Sequence, residues 1–186
     1  MQKTILKFGL ISGFLCSLMI VAATPLEKNA GFDNGYYFGY TVIVLSFLLV
    51  FFGIRSYREN VGGGQITFLK GLAVGGSIML ITCAFYVATW EVIYFNFMHD
   101  FMDRYGAYLI DKARTSGASA AALQAKMQEV QKMKVMYENP IYNVALTFME
   151  PFPVGLVITL ISALTLRKTG KSATEALASP AASVRL

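Results

Sequence analysis

The sequence predicts an all-α integral membrane protein: four transmembrane helices, with an extracytoplasmic helical hairpin between the third and the fourth. Three observations carry this. Of 186 residues, 55% are hydrophobic and 15% charged, whereas soluble domains are nearer a quarter charged. The apolar residues gather into four long runs. The basic residues sit at the ends of those runs. That pattern fits membrane anchoring better than a nucleic-acid-binding face, even at a net charge of +5. The length fits one domain, a membrane domain over residues 1–168 followed by a tail at 169–186.

The first run covers residues 4–24 and follows Lys3 and Lys7. Gly9 and Gly13 form a GxxxG pair, which suits close helix packing in lipid. A cleavable signal peptide ending near Ala22 and Ala23 is the alternative for this run. The second run covers 36–54, the third 68–97 and the fourth 141–166. A span of the hydrocarbon core takes about 20 apolar residues, and the second and fourth runs meet that least comfortably. Gly71, Gly75, Gly155 and Ala163 offer further small surfaces for helix contact. Cys16 and Cys83 lie inside apolar runs and read as small buried hydrophobes, with no disulfide framework.

Orientation follows from the loops. Arg55, Arg58 and Lys70 bracket the second loop, and Arg167, Lys168 and Lys171 follow the fourth run. The loop at 25–35 balances Lys28 against Glu27 and Asp33. All the basic clusters therefore belong inside, with both termini cytoplasmic. Gly62, Gly63 and Gly64 in the second loop read as a flexible turn, since no Lys-Ser or Lys-Thr follows to make a phosphate cradle.

Residues 98–140 form the one long stretch outside the membrane. Met98, Phe101, Met102, Tyr105 and Leu109 make one apolar helix face, and Leu123, Met127, Val130, Met133 and Tyr137 make another. Between them, Gly117 supplies a stop and Ser119 a start. Pro140 closes this hairpin. The tail is rich in Ala and Ser, and disorder is expected there on the cytoplasmic side.

Two acids lie in or beside the apolar runs. At a rise of about 1.5 Å per residue, Glu91 lies about 31 Å outward of Lys70, and Glu150 about 26 Å outward of Arg167. Both fall in the outer third, where a carboxylate is tolerable, at similar height. They are the candidate functional or structural acids. Each is satisfied locally, or the pair shares a proton or cation site, or they bind a cationic or peptide partner. Pro151 and Pro153 lack the N–H that a continuing helix needs, so a break or kink is expected at about Glu150. The favoured outcome starts a new helix at Pro151 with the Glu150 carboxylate facing its free N–H groups. The other is a broken helix lining a polar cavity.

His99, Asp100 and Asp103 suggest a metal only weakly, because His99 has no second His or Cys nearby. No nucleophile–base constellation is visible, so no enzyme activity, cofactor or metal is expected.

Phe52-Gly-Ile-Arg-Ser-Tyr-Arg58, Tyr86-Val-Ala-Thr-Trp-Glu91 and Glu150-Pro-Phe-Pro-Val-Gly-Leu156, followed by Ser162-Ala-Leu164, carry a resemblance. In this order they resemble the bacterial membrane family called domain of unknown function 4199, over nearly the whole chain to Lys168. The resemblance implies a multi-pass protein of the bacterial inner membrane and supplies no activity or site residue.

The expected function is therefore that of a non-catalytic membrane, interaction or accessory protein. Its partners would be the lipid bilayer and another membrane or periplasmic protein, or a second copy of itself; nucleic acid is not among them. Met127, Met133, Met136 and Tyr137 are the candidate partner surface. The alternative is a small proton- or cation-coupled carrier using Glu91 and Glu150.

Overall fold

The computed structural model describes residues 1–30 and 32–169, without the side chains of 25–30 and 36. The expected disordered tail falls outside the described residues from 170 onward. Seven helices follow in order: α1 (Gln2–Ala30), α2 (Phe32–Asn60), α3 (Phe68–Phe97), α4 (Phe101–Thr115), α5 (Ala120–Glu138), α6 (Pro140–Met149) and α7 (Pro151–Leu166). Four stretches are long and apolar enough to cross a membrane: Gln2–Thr24, Phe32–Asn60, Phe68–Phe97 and Pro140–Leu166. The third matches its sequence bounds. The first two helices run further than the apolar runs, and the loop expected at 25–35 is helical on both sides of residue 31. Helical hydrogen bonding need not stop where the hydrocarbon does. On the α2 side, Phe32 also gains ring contacts with Phe101, Tyr105 and Tyr108 of α4.

Small residues fix how the helices pack. A Cβ at Gly9 would stand 2.8 Å from Ile81 Cδ1, and one at Gly13 would stand 2.6 Å from the Phe85 ring. The GxxxG pair thus seats α1 on α3, running parallel to it. Gly71 lies against Ala163, Gly75 against Ile54 and Thr159, and Gly155 against Met79 and Phe47. These contacts run α7 antiparallel to α3 and draw α2 into the same seam. The small residues expected to serve close packing do so.

Where backbones approach this closely, short polar side chains find partners. Ser12 donates to the Ser46 carbonyl at 2.8 Å, and Thr82 donates to Ser12 Oγ at 2.9 Å. Thr89 donates to Ser17 at 2.7 Å. Such bonds average about 0.6 kcal/mol each in membrane bundles, so they align helices more than they hold them together.

The basic ends come together at one pole. Ile66 and Lys168 exchange backbone hydrogen bonds of 2.9 and 3.0 Å, and Arg58 donates to the Leu166 carbonyl, an unpaired acceptor at the end of α7. The loop read as a flexible turn is therefore pinned. Its glycines serve shape: Gly63 and Gly64 have φ of +60° and +83°, a region most side chains avoid.

At the opposite pole α4 and α5 form the hairpin. Ser119 caps α5 by accepting from the Ala122 N–H, and Gly117 adopts φ +78° in the turn. Val130 of α5 fits against Gly106 of α4, and Lys134 pairs with Asp103.

Candidate functional site

α3 carries Tyr86, Trp90 and Tyr94 at four-residue steps, so they share a face. That face turns toward α6 and the underside of the hairpin. Trp90 donates through Nε1 to the Tyr137 hydroxyl at 2.8 Å. Its ring meets Phe101 edge-on at 5.0 Å and stacks beside Tyr94 at 6.4 Å. Tyr137 thus points inward from α5, while the Asn143 side chain donates to the Tyr137 carbonyl at 3.1 Å.

The proline pair aims the acid. α6 ends at Met149, and α7 starts at Pro151. Across the junction the Glu150 N–H reaches back only to Thr147, at 3.4 Å. The break therefore falls where the sequence puts it. The expected cap does not form. Glu150 keeps helical backbone angles (φ −75°, ψ −57°) and makes no side-chain cap bond. Capping needs extended backbone angles that fold the side chain back over the first turn. Helical angles send it sideways instead, where the Tyr86 hydroxyl donates to Glu150 Oε2 at 2.7 Å. So the residue before the proline stays helical against its usual bias, and the new helix starts at Pro151 as expected but without the side-chain cap.

Glu150 and Tyr86 line a cavity of about 690 Å³. Its walls come from Ile20, Ala23 and Thr24 of α1 and from the start of α2, including Gly35, Phe38, Gly39 and Val42. Leu146 and Met149 of α6 form another side, and Phe101, Tyr105 and Tyr137 of the hairpin lie across it. At the rim, Asp33 accepts from Lys112 at 2.9 Å and from the Tyr108 hydroxyl. Tyr108 and Asp33 hold the Lys112 ammonium above its ordinary range, Tyr108 making the larger contribution. The charge on Lys112 is therefore secure at any ordinary pH.

The expected residues separate here. Glu150 is in the cavity. Glu91 does not line it: five residues from Tyr86 along α3, it points away by about 140° at roughly 100° per residue. Its Oε1 is buried without a hydrogen-bond partner among the described residues. The four partner-surface candidates do not form one surface either. Met127 and Met136 are exposed, Met133 is half-buried, and Tyr137 faces inward to Trp90. Asp100 pairs with Arg104 at 3.0 Å and Asp103 with Lys134, and among the described residues the exposed His99 has no ion pair. Tyr86, Phe101 and Tyr105 were not singled out as site residues. The aromatic stripe Tyr86–Trp90–Tyr94 in an apolar span was the available signal.

Burial pushes the Tyr137 hydroxyl up from 10.0 to about 12. The folded state therefore holds this proton more tightly than the unfolded chain does. Its contribution to stability is complete below pH 10 and is lost as pH rises toward 12. Trp90 emission is expected to stay constant to about pH 10 and then change as its hydroxyl partner ionises. A Tyr137→Phe variant should lack that alkaline step; a step of the same size in the variant would refute the assignment.

The model of a family described as "Protein of unknown function (DUF4199)" matches residues 7–168. No curated protein and no solved structure matches the chain.

Proposed function

The chain belongs to the DUF4199 family, and we propose that it is a non-catalytic, multi-pass membrane protein that holds a small ligand in the cavity under its hairpin. The cavity carries this reading. At about 690 Å³ it falls within the roughly 300–1,000 Å³ usual for ligand sites, and it has the usual character of apolar walls with a few converging polar groups. Lys3, Lys7, Arg55, Lys70 and Arg167 share one pole, which supports placing both termini in the cytoplasm and the hairpin outside a bacterial inner membrane. An accessory role is supported by the exposed Met127, Val135 and Met136 on α5. The coupled-carrier alternative asks both acids to face one hydrated space, and Glu91 lies off it. The inner half is also packed solid by Val50, Ile54, Val74 and Ile78, all 0% exposed.

Filling the cavity tests the proposal. Gly39 lines it, and an added Cβ would meet nothing within 4 Å. Gly39→Leu is expected to fold, with stability unchanged or raised by about 0.5–1 kcal/mol from the lower entropy of its unfolded chain. It should also lose the small molecules that wild-type protein, purified from membranes, releases on denaturation. Identical release from both, read by mass spectrometry, would sink the ligand-binding reading.

A further inference from the structure

We propose that the cavity binds an amphiphilic organic cation, with its charged head against Glu150 and its apolar body among the aromatic rings. This rests on the ligand-binding reading above and names the ligand class.

Charge comes first. Among the described residues lining the cavity, Glu150 is the one with a formal charge. It receives a hydrogen bond from Tyr86 and belongs to no ion pair among the described residues. Asp33 at the rim is already matched by Lys112. Glu150 is exposed to the cavity, yet it sits at the junction of two apolar helices, and a carboxylate beside hydrocarbon is costly until a counter-charge or further donors reach it. A cation would complete this site; an anion would be repelled from it.

The walls then choose the kind of cation. Calcium takes six or more oxygen ligands, and magnesium keeps an octahedral shell. This cavity offers aromatic faces instead: Trp90, Tyr86, Tyr105 and Tyr137, with Phe32 and Phe38 beside them. Such faces attract ammonium and quaternary ammonium groups through the ring quadrupole, and the attraction is stronger out of water. A zwitterionic lipid headgroup fits less well. It would bring a phosphate alongside its amine; among the described residues no Lys, Arg or His lines the cavity to receive one, and Lys112 at the rim is held by Asp33. The edges are apolar too. Phe38 of α2 and Leu146 and Met149 of α6 are all exposed, so the apolar part of a ligand can lie against the bilayer side.

Trp90 is the chain's single tryptophan, so emission excited selectively at tryptophan reports on this cavity. Purified full-length protein in maltoside micelles would be titrated with phenyltrimethylammonium and with its uncharged isostere tert-butylbenzene. We expect a saturable change with the cation, at an affinity at least about tenfold above that of the isostere. Glu150→Gln should lower the cation's affinity about tenfold and leave the isostere's unchanged. If that variant fails to fold, the wild-type comparison decides alone. Equal affinities would overturn the ligand class while leaving the cavity reading intact. Displacement of the cation by added phosphatidylethanolamine would reassign the site to a lipid headgroup and overturn the proposal. No saturable change with either probe, together with unaltered release from Gly39→Leu, would overturn the binding reading itself.

Discussion

Gly155→Val is expected to cost roughly 2–3 kcal/mol of stability, toward the upper end of the range for overpacked cores. Gly155 is the point where α2, α3 and α7 meet. A Cβ there would stand 2.7 Å from Met79 Cγ and 2.7 Å from Phe47 Cζ. Met79 could swing its end aside. The Phe47 ring, 1% exposed, has nowhere to go without moving α2. For helices that cross a bilayer, as proposed above, no hydrophobic force drives association, which then depends on close van der Waals approach. Pushing three helices apart removes that attraction along the whole seam. Gly76→Val is the control. It makes the same substitution on α3, at a position where an added Cβ meets nothing within 4 Å, and should be nearly neutral. Unfolding by graded addition of a denaturing detergent would compare them. Equal losses at the two positions would show that the penalty comes from the residue type and not from the seam.

That contrast also shows what the sequence could and could not convey. The long apolar helices, the hairpin turn at Gly117 and Ser119, and the interruption at Glu150 are local: each follows from a run of apolar residues or from two or three punctuating ones. The seam was half legible, because small residues announce closeness without naming the neighbour. Gly9 and Gly13 could have met any helix, and Ile81 and Phe85 became their partners only through tertiary packing. The acids illustrate the limit. Counting residues from Lys70 and Arg167 gave Glu91 and Glu150 similar heights. Height says nothing of direction around the helix, and the turn of about 140° between Tyr86 and Glu91 decides which acid enters the cavity. Capping failed for a related reason. The prolines fixed where the helix is interrupted, but the backbone angles of Glu150 were settled by packing of the whole kinked segment against α3. The Tyr86 hydroxyl that replaced the helix N–H groups lies 64 residues away.

Trp90→Ala is expected to loosen the hairpin while leaving the bundle folded. Truncating a fully buried Trp costs about 3–5 kcal/mol; Trp90 is half-buried, so about 2 kcal/mol is the expected size. The loss should be regional because of where its contacts go. Its indole N–H bonds Tyr137 of α5, and its ring meets Phe101 of α4. α4 and α5 keep each other through Gly106 against Val130 and through Lys134 with Asp103, so the pair should lift as a unit. Hydrogen exchange should accelerate about thirtyfold across α4 and α5, the factor that 2 kcal/mol implies. It should change little in α1, α2 and α7. Trp90→Phe keeps a ring against Phe101 and loses only the N–H, so about 1 kcal/mol is expected. Uniform acceleration along the chain would show instead that Trp90 supports the bundle, and no acceleration would show that the hairpin is held elsewhere. The cavity and the hairpin share this residue. A ligand seated against Trp90 in the wild-type protein should therefore slow exchange in α4 and α5, which joins occupancy of the cavity to docking of its roof.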